Sequence, residues 1–398
     1  MKWLNVIGIG EDGLNGVSPA ARTLIDTAEL LIGGERHLAM VPEKPGQQRV
    51  VWPKPLLSAL ERIGEHKGRR VVVLASGDPM WCGIGATLTR HVSPEDMLIL
   101  PHPGAFSLAA AQMLWPLDSV ECITLHGRPL DQLGLYLYPN ARLLILSENG
   151  ETPAQVAAYL AKRGFGSAEV TVLEHLGGPQ QAIRSGRADA WPHAHCADLN
   201  TIAVQLHDGP GISRLPGLDD DLYLHDGQIT KREVRAVTLS RLAPFPGELL
   251  WDIGAGSGSI AIEWMRSHSR NRAIAIEQND GRRAMMAQNA AALGVPGLDI
   301  RSGVAPAALH GLPAPDAIFI GGGILAEDMV LRCWDALKPG GRLVANVVTT
   351  EGEEVVSQAR RAYGGDLVRL NVQRAQPVGR YHGWHGMMPV TQWSVIKE

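Results

Sequence analysis

The stretch that decides the fold of the second half of the chain is Leu249-Leu250-Trp251-Asp252-Ile253-Gly254-Ala255-Gly256-Ser257-Gly258-Ser259-Ile260-Ala261-Ile262-Glu263. An apolar run ends at Asp252, three glycines follow at every second position, and helical periodicity begins at Ser259. Glycine lets the backbone turn tightly and approach a ligand closely at the carboxyl end of a strand. The stretch therefore predicts a strand, a ligand-binding loop and a helix of an α/β domain.

The spacing of these glycines indicates the ligand. Dinucleotide-binding folds use G-x-G-x-x-G, whereas the loop 254–258 reads G-x-G-x-G, which suits S-adenosylmethionine because that cofactor has no pyrophosphate. A second strand, 273–277, ends 23 residues after Gly254 in a carboxylate that can accept both ribose hydroxyls. A dehydrogenase is therefore disfavoured. The residues predicted to bind S-adenosylmethionine here are Gly254, Ala255, Gly256, Ser257, Gly258 and Glu277.

A run of three glycines, Gly321-Gly322-Gly323, follows the predicted fourth strand of this half, 317–320. Methyltransferases of nucleic-acid amines carry an N/D-P-P-Y/F box at this place. Glycine offers no side-chain acceptor for such an amine, so a base methylase is disfavoured. The run either leaves room for a large flat substrate or forms a tight turn before a helix, and both readings stay open.

The first half has a quieter signal. A buried strand, Val71–Ala75, runs into Ser76-Gly77-Asp78-Pro79 and a glycine-flanked helix start. Asp78 can either line a ligand cleft or cap that helix. The earlier pattern Gly8-Ile9-Gly10 lacks a suitable carboxylate about 20 residues further on in a strand, so it predicts a first strand and a tight turn rather than a dinucleotide site.

Length and patterning predict two α/β domains. The chain has 398 residues, of which 45% are hydrophobic, and short apolar runs alternate with helical periods in both halves. Turn-rich composition at 208–211 and 215–221 marks a break. We predict a first domain over 1–206, a linker over 207–225 and a second domain over 226–398.

Composition excludes several classes of function. A net charge of −4 without a basic block argues against a nucleic-acid binder. No run of about 18 apolar residues is present, so no membrane span is predicted. The cysteines lack a C-x-x-C pair, which predicts neither a metal site nor disulfides and fits a reducing, cytoplasmic setting. These cysteines are Cys82, Cys122, Cys196 and Cys333.

The second half resembles the decarboxylating C15-methyltransferase domain of corrin biosynthesis, a Rossmann-like fold. The matching motifs are Thr230-Lys231-Arg232-Glu233-Val234-Arg235, Asp252–Gly258, Gly303-Val304-Ala305-Pro306, Ile320–Gly323 and Leu337–Arg342. The resemblance adds Thr230 and Ala305 to the predicted cofactor contacts and makes the three glycines candidates for substrate binding. The family usually has an acidic residue where Val304 stands, so a side-chain contact is lost there.

The first half resembles the tetrapyrrole methylases, which have a two-lobed α/β fold. The matching motifs are Gly77-Asp78-Pro79, Pro103-Gly104-Ala105-Phe106-Ser107 and Leu125-His126-Gly127-Arg128. The resemblance implies that Gly77, Asp78, Trp81 and Ser107 bind S-adenosylmethionine. It makes His126 and Arg128 candidates for substrate binding.

Two unrelated methyltransferase folds in one chain resemble the fused C5,15-methyltransferases (decarboxylating) of cobalamin biosynthesis. The resemblance implies methylation of precorrin-6Y at carbons 5 and 15 and decarboxylation of the ring C acetate, giving precorrin-8X. It also implies a homo-oligomer. No catalytic side chain is identified. Two alternatives stay open: a methyltransferase of another substrate such as RNA, and a first domain that only docks substrate.

Overall fold

The computed structural model describes residues 2–398 and divides them into two compact units. The first unit comprises 2–128 and 138–210, and the second comprises 129–137 and 211–398. The chain thus passes into the second unit between Pro210 and Gly211, inside the stretch predicted as a linker. The inclusion of 129–137 in the second unit has no counterpart in the sequence prediction.

The first lobe of the first unit is a parallel sheet of five strands in the order β3-β2-β4-β1-β5. Its central strands β2, β4 and β1 are largely buried apolar runs, as expected of a parallel sheet with helices on its faces, whereas the edge strand β3 is partly exposed. Its elements are β1 (Leu4–Ile9), α1 (Pro19–Thr27), β2 (Leu30–Gly33), α2 (Glu35–Ala39), β3 (Gln48–Val51), α3 (Leu56–Glu61), β4 (Val71–Ser76), α4 (Ile84–Leu88) and β5 (Met97–Leu100).

The second lobe of that unit is a mixed five-stranded sheet in the order β6-β7-β10-β8-β9, in which only β6 and β7 pair in parallel. Its elements are α5 (Ala105–Met113), β6 (Glu121–Thr124), β7 (Arg142–Leu146), α6 (Thr152–Lys162), β8 (Glu169–Glu174), β9 (Ala182–Arg187) and β10 (Asn200–Gln205). The two lobes agree with the two-lobed α/β fold predicted for this half.

The second unit is built on a seven-stranded sheet in the order β13-β12-β11-β14-β15-β19-β16, with a separate hairpin β17-β18. Strands β11 to β15 are parallel, and β19 runs antiparallel to both of its neighbours. Its elements are α7 (Arg232–Leu242), β11 (Leu249–Ile253), α8 (Ser259–Ser267), β12 (Arg272–Glu277), α9 (Asp280–Ala292), β13 (Asp299–Ser302), β14 (Ala317–Ile320), α10 (Met329–Ala336), β15 (Arg342–Val347), α11 (Thr350–Tyr363), β16 (Asp366–Leu370), β17 (Gln373–Val378), β18 (Tyr381–Gly386) and β19 (Val390–Ile396).

The order of the strands in the second unit fixes where a ligand can bind. Sequence order reverses between β11 and β14, and the crevice at the carboxyl ends of strands that flank such a switch point is the usual ligand site of open α/β sheets. Two hydrophobic clusters, which include Trp264 and Trp393 respectively, make up the core of this unit. The sheet thereby holds the ends of β11 and β14 rigidly.

Part of the stretch predicted as a linker over 207–225 belongs instead to the core of the second unit. Leu218 and Tyr223 are buried, and the Glu263 carboxylate accepts hydrogen bonds from the backbone N–H groups of Gly217 and Leu218 and from the Tyr223 hydroxyl. The buried Arg235 guanidinium donates to the same carboxylate at 2.6 Å. Residues 217–223 are therefore anchored, and a chain cut at Leu218 would break this network.

None of the helices in the described part of the chain combines the length and the apolar character that crossing a membrane requires.

Candidate active site

A cavity of about 570 Å³ lies in the second unit at the switch point between β11 and β14. Its size is within the usual range for small-molecule sites. Of the residues predicted from the sequence, those that line it are Thr230, Gly254, Ala255, Gly256, Ser257, Glu277, Ala305, Gly321, Gly322 and Gly323. The structure thus brings together two sets of predicted contacts, one for cofactor and one for substrate.

The glycine loop has backbone conformations that L side chains rarely adopt. Gly254, Gly256 and Gly258 have φ values of 69°, 58° and 78°. A Cβ atom on Gly254 would lie 2.8 Å from the Cα of Gly322, and one on Gly258 would lie 2.4 Å from Cγ of Met286. Gly258 is thus required by packing at the start of α8, whereas Gly254 and Gly256 form the cavity wall.

Glu277 stands at the carboxyl end of β12 and is only 5% exposed. One of its carboxylate oxygens accepts the backbone N–H of Gly256 and the other accepts that of Asn279, both at 2.9 Å. Each carboxylate oxygen retains capacity for a further hydrogen bond. Glu277 therefore holds the glycine loop in place while it faces the cavity.

Two buried polar atoms beside the loop have no partner among the described residues. They are Oγ of Ser257, which lines the cavity and is 3% exposed, and Oδ1 of Asp252. The other carboxylate oxygen of Asp252 accepts the Ala261 N–H in the first turn of α8 at 3.1 Å. Burial raises the pKa of Asp252 to about 7, and the nearby Glu277 carboxylate adds to this shift. A bound ligand can supply the missing hydrogen-bond partner of Ser257, as is expected of a site for a polar cofactor.

The three glycines after β14 line the cavity and pack directly against the G-x-G-x-G loop. The N–H groups of Gly321 and Gly322 approach the Ile253 carbonyl at 2.9 and 3.3 Å. Gly323 has a φ of 76°, whereas at Gly322 a Cβ atom would meet only the Gly254 Cα, at 3.7 Å. The run therefore turns at Gly323 and leaves space at Gly322. That this space receives a flat substrate stays a prediction.

The remaining wall of the cavity comes from the segment before α7, the loop after β13 and the C-terminal part of the chain. Thr230 is placed by its carbonyl, which accepts from the buried Arg235 at 2.5 Å. Lys231 lines the same wall and makes no ion pair with the described residues. Val304 is 61% exposed beside Ala305, so the position where the family usually has an acidic residue lies open. Apolar residues of the C-terminal part, which the sequence analysis did not assign, complete the lining and include Val372, Met387 and Met388.

In the first unit the Gly-Asp-Pro loop packs on the turn before α5. Gly77 has a φ of 52°, and a Cβ atom there would lie 2.7 Å from the Cα of Gly104. Asp78 accepts the Met80 N–H at 2.8 Å, while α4 begins only at Ile84 after an N-cap at Gly83. Asp78 thus stabilises its own turn and does not cap the helix.

The other predicted contacts of the first unit are exposed and lie on separate segments, namely the loop after β4, helix α5 and the loop after β6. Trp81 is 56% exposed, with its ring 5.8 Å from and edge-on to Phe106, next to the exposed Ser107. His126 and Arg128 follow β6, and Nδ1 of His126 lies 3.4 Å from the Glu148 carboxylate. Trp81 therefore contacts the helix that carries Ser107, and His126 and Arg128 form a separate group.

The fold and the cavity define a two-domain S-adenosylmethionine-dependent methyltransferase. Residues 4–191 match the family described as tetrapyrrole (corrin/porphyrin) methylases, and residues 221–397 match the family described as precorrin methyltransferase domain. A precorrin-6Y C(5,15)-methyltransferase [decarboxylating] of Sinorhizobium sp is 46% identical over 99% of this chain and 96% of its own length. The chain belongs to the family of precorrin-6Y C(5,15)-methyltransferases (decarboxylating).

The names of two shorter relatives each give methylation at only one of the two carbons. A cobalt-precorrin-7 C(5)-methyltransferase of Salmonella typhimurium is 32% identical over 44% of this chain and 85% of its own length. A probable cobalt-precorrin-6B C(15)-methyltransferase (decarboxylating) of Pyrobaculum calidifontis is also 32% identical, over 44% of this chain and 93% of its own length. These relatives do not favour the alternatives of an RNA methyltransferase or a dehydrogenase.

Proposed function

We propose that this chain methylates precorrin-6Y at carbons 5 and 15 and decarboxylates the acetate side chain on ring C, giving precorrin-8X. The observation that carries the proposal is the cavity of the second unit, which the G-x-G-x-G loop, Glu277 and the glycine run line together within a chain of this family. A flat macrocycle and a cofactor can both reach such a cavity.

In the second unit the residues fit S-adenosylmethionine. Glu277 has acceptor capacity left for ribose hydroxyls, and Ser257 has a buried hydroxyl that lacks a partner among the described residues. We assign the cofactor contacts of this unit to Thr230, Gly254, Ala255, Gly256, Ser257, Glu277 and Ala305, with Gly258 in a supporting role at the helix start. When bound, the cofactor supplies an electrophilic methyl group.

Methylation at carbon 15 requires mainly that the methyl donor and the macrocycle are positioned next to each other. The loop and the glycine run would hold the methyl donor beside the macrocycle, and the apolar residues of the lining would exclude water from the reacting carboxylate. Loss of carbon dioxide sends an electron pair into the conjugated macrocycle. Lys231, which is free of ion pairs with the described residues, is placed to hold one of the other peripheral carboxylates of the substrate.

We assign methylation at carbon 5 to the first unit. Support comes from the tetrapyrrole methylase match and from the relative that carries a C(5) activity alone. Gly77, Asp78, Trp81 and Ser107 are its proposed cofactor contacts, and His126 and Arg128 its proposed substrate contacts. In the second unit Gly321, Gly322 and Gly323 are the proposed substrate wall.

The proposal is tested by incubating the purified full chain with precorrin-6Y and S-adenosylmethionine and analysing the product by mass spectrometry. We expect two methyl groups gained and one carbon dioxide lost per substrate molecule. A product with no added methyl group, from a chain that still binds S-adenosylhomocysteine in a calorimeter, would contradict it. Calorimetry also counts the sites, and we expect two per chain.

We further propose that the chain works as a homo-oligomer in the cytoplasm. The support is the resemblance to related domains of both types, together with large exposed side chains on the β17–β18 hairpin, such as Tyr381 and Trp384. Light scattering after gel filtration of the purified chain measures the oligomeric state.

A further inference from the structure

A cluster of polar side chains lies at the carboxyl ends of β1, β2 and β4 in the first lobe and has no role in the account above. Glu11 follows β1, Arg36 lies in α2 after β2, and Ser76 ends β4, directly before Gly77 of the Gly-Asp-Pro loop. The Arg36 guanidinium donates to the Glu11 carboxylate and, at 3.0 Å, to the Ser76 hydroxyl. The cluster therefore adjoins the loop that we assign to the cofactor.

His175 joins this cluster from the second lobe. It follows β8, and its Nδ1 lies 3.1 Å from the second oxygen of Glu11, whose first oxygen is bonded to Arg36. The backbone of His175 has a φ of 46°, a left-handed conformation that costs energy for a residue other than glycine and that tends to occur at functional sites. The turn is closed by Gly178, whose N–H donates to the His175 carbonyl at 3.0 Å.

The turn that carries His175 packs against the helix that carries Ser107. A Cβ atom on Gly177 would lie 3.6 Å from Cδ1 of Leu108 in α5, and one on Gly178 would lie 2.5 Å from Cβ of Glu11. The start of α5 in turn packs on Gly77 through Gly104. The imidazole is thus held among the same segments that present the proposed cofactor contacts of this unit.

Three histidines lie in this region, and their hydrogen bonds separate them. Nε2 of His37 is bonded to Ser76 and Arg36, and burial, with Arg36 beside it, lowers the pKa of His37 to about 4. Both ring nitrogens of His102 have partners, the Asp12 carboxylate and the Pro103 carbonyl. His175 uses Nδ1 alone, and its Nε2 makes no hydrogen bond to any residue that the structure describes. The His175 side chain is 25% exposed.

We propose that His175 is the general base for methylation at carbon 5, with Glu11 and Arg36 as positioning residues; the inference rests on the proposed function. The ring carbon forms a bond to the methyl carbon while the S–CH₃ bond breaks. The electron pair of the S–CH₃ bond stays on sulfur, which leaves as a neutral thioether. The C–H bond of the methylated ring carbon then breaks, its electron pair returns to the macrocycle, and the proton passes to Nε2 of His175. The Glu11 carboxylate orients Nδ1–H and stabilises the imidazolium that forms.

The test compares the wild-type chain with His175→Asn. Asparagine tolerates the left-handed backbone and keeps a donor toward Glu11, but it cannot accept the proton. We expect methylation at carbon 5 to slow by about 100-fold or more, since general-base catalysis contributes 10²–10⁴-fold. Methylation at carbon 15 and release of carbon dioxide should continue unchanged in the same chain. Substrate deuterated at carbon 5 should show a larger kinetic isotope effect in the variant than in the wild-type chain.

Two further variants complete the design. His175→Gly suits the backbone and leaves space for added imidazole, which should restore part of the rate at carbon 5. His207→Asn is the matched control because His207 also pairs with a glutamate, Glu169, at 3.5 Å but lies outside the cluster. It should leave both methylations unchanged.

An unchanged rate at carbon 5 in His175→Asn would overturn the assignment. So would a slower rate with no larger isotope effect and no rescue by imidazole, because that pattern indicates a structural role. If the wild-type chain itself adds no methyl group at carbon 5, the proposed function fails, and this inference fails with it. The wild-type measurement therefore distinguishes the two failures.

Discussion

At the scale of single residues, Glu277 has two tasks that can be separated by substitution. Glu277→Gln keeps a side-chain oxygen for the Gly256 N–H but removes the charge that strengthens hydrogen bonds to ribose hydroxyls. A hydrogen bond to a charged group contributes about 1.5–3 kcal/mol, so we expect the cofactor to bind roughly 10- to 100-fold more weakly in the second unit. Calorimetry on the full chain should show one weakened site and one unchanged site.

The matched control for this variant is Glu351→Gln, because Glu351 is exposed in the first turn of α11 and does not line the cavity. It should leave both sites unchanged. Equal weakening of both sites by Glu277→Gln, or weakening of neither, would remove Glu277 from the cofactor site.

The buried Asp252 predicts a pH dependence of stability. Burial raises the pKa of Asp252 from 3.8 to about 7, so the folded state binds the proton more tightly than the unfolded chain. The resulting stability is complete below about pH 4 and is lost as the pH rises through 7, by about 4 kcal/mol at most. Asp252→Asn lacks this titration. Urea unfolding should show that the unfolding free energy of the variant, relative to that of the wild-type chain, is higher at pH 8 than at pH 5. An equal difference between the two chains at both pH values would contradict this prediction.

Gly322 and Gly323 allow the two readings of the glycine run to be compared directly. A side chain at Gly322 has room at its Cβ and no positive φ to oppose it, so Gly322→Leu should keep the melting temperature and raise the Michaelis constant for precorrin-6Y steeply. Gly323→Leu should instead lower the melting temperature, because Gly323 has a φ of 76°. Unchanged substrate binding in a folded Gly322→Leu would exclude this glycine from the substrate wall.

At the scale of elements, the sequence predicted best the strands whose centre is a continuous apolar run. The strand predicted over Val71–Ala75 extends to Ser76, the one predicted over 273–277 begins at Arg272, and the one predicted over 317–320 has the predicted bounds. The apolar periodicity over 325–337 predicts a helix, but the helix begins only at Met329 because Asp328 has a left-handed backbone. The short strands β2 and β3 and the C-terminal strands β16 to β19 were not predicted, since their residues are few or mixed in polarity and depend on pairing with distant strands.

The anchored segment 217–223 makes a prediction at this scale. Glu263→Gln removes the nearer of the two carboxylate charges, Glu263 and Asp220, that compensate the fully buried Arg235 guanidinium, and it weakens the bonds to the backbone N–H groups of residues 217 and 218. Breaking a buried pair on one side typically costs about 3–5 kcal/mol. Glu233→Gln is the control, because Glu233 pairs with the partly exposed Arg374 and should cost about 1 kcal/mol or less. Similar unfolding free energies for the two variants would contradict the burial argument.

At the scale of the whole molecule, the candidate site was predictable where it follows from local backbone chemistry. The glycine loop, Glu277 and the three glycines could be placed from spacing alone, and all but Gly258 line one cavity. The Glu11–His175 pair could not, because 164 residues separate its members and only the packing of two lobes brings them together. The same holds for residues 129–137, which belong to the second unit although they interrupt the first.

Because residues 129–137 belong to the second unit, the assignment of one methylation to each unit is best tested in the full chain. A fragment that begins at Gly211 would lack residues 129–137 of the second unit, so variants of the full chain are better test proteins than fragments. Asp78→Ala removes a side chain from the Gly-Asp-Pro loop of the first unit and leaves the cavity of the second unit intact. We expect methylation at carbon 5 to stop while methylation at carbon 15 and release of carbon dioxide continue, so that a singly methylated, decarboxylated compound accumulates.

Asp78→Asn is the control for this last variant, because asparagine keeps an acceptor for the Met80 N–H and so preserves the turn. If Asn restores methylation at carbon 5, Asp78 acts by shaping the loop; if it does not, its charge is required at the cofactor. Mass spectrometry of the products separates these outcomes. Loss of both methylations in a folded Asp78→Ala chain would mean that the two units work only as a coupled pair, and full activity would mean that the loop does not need this carboxylate.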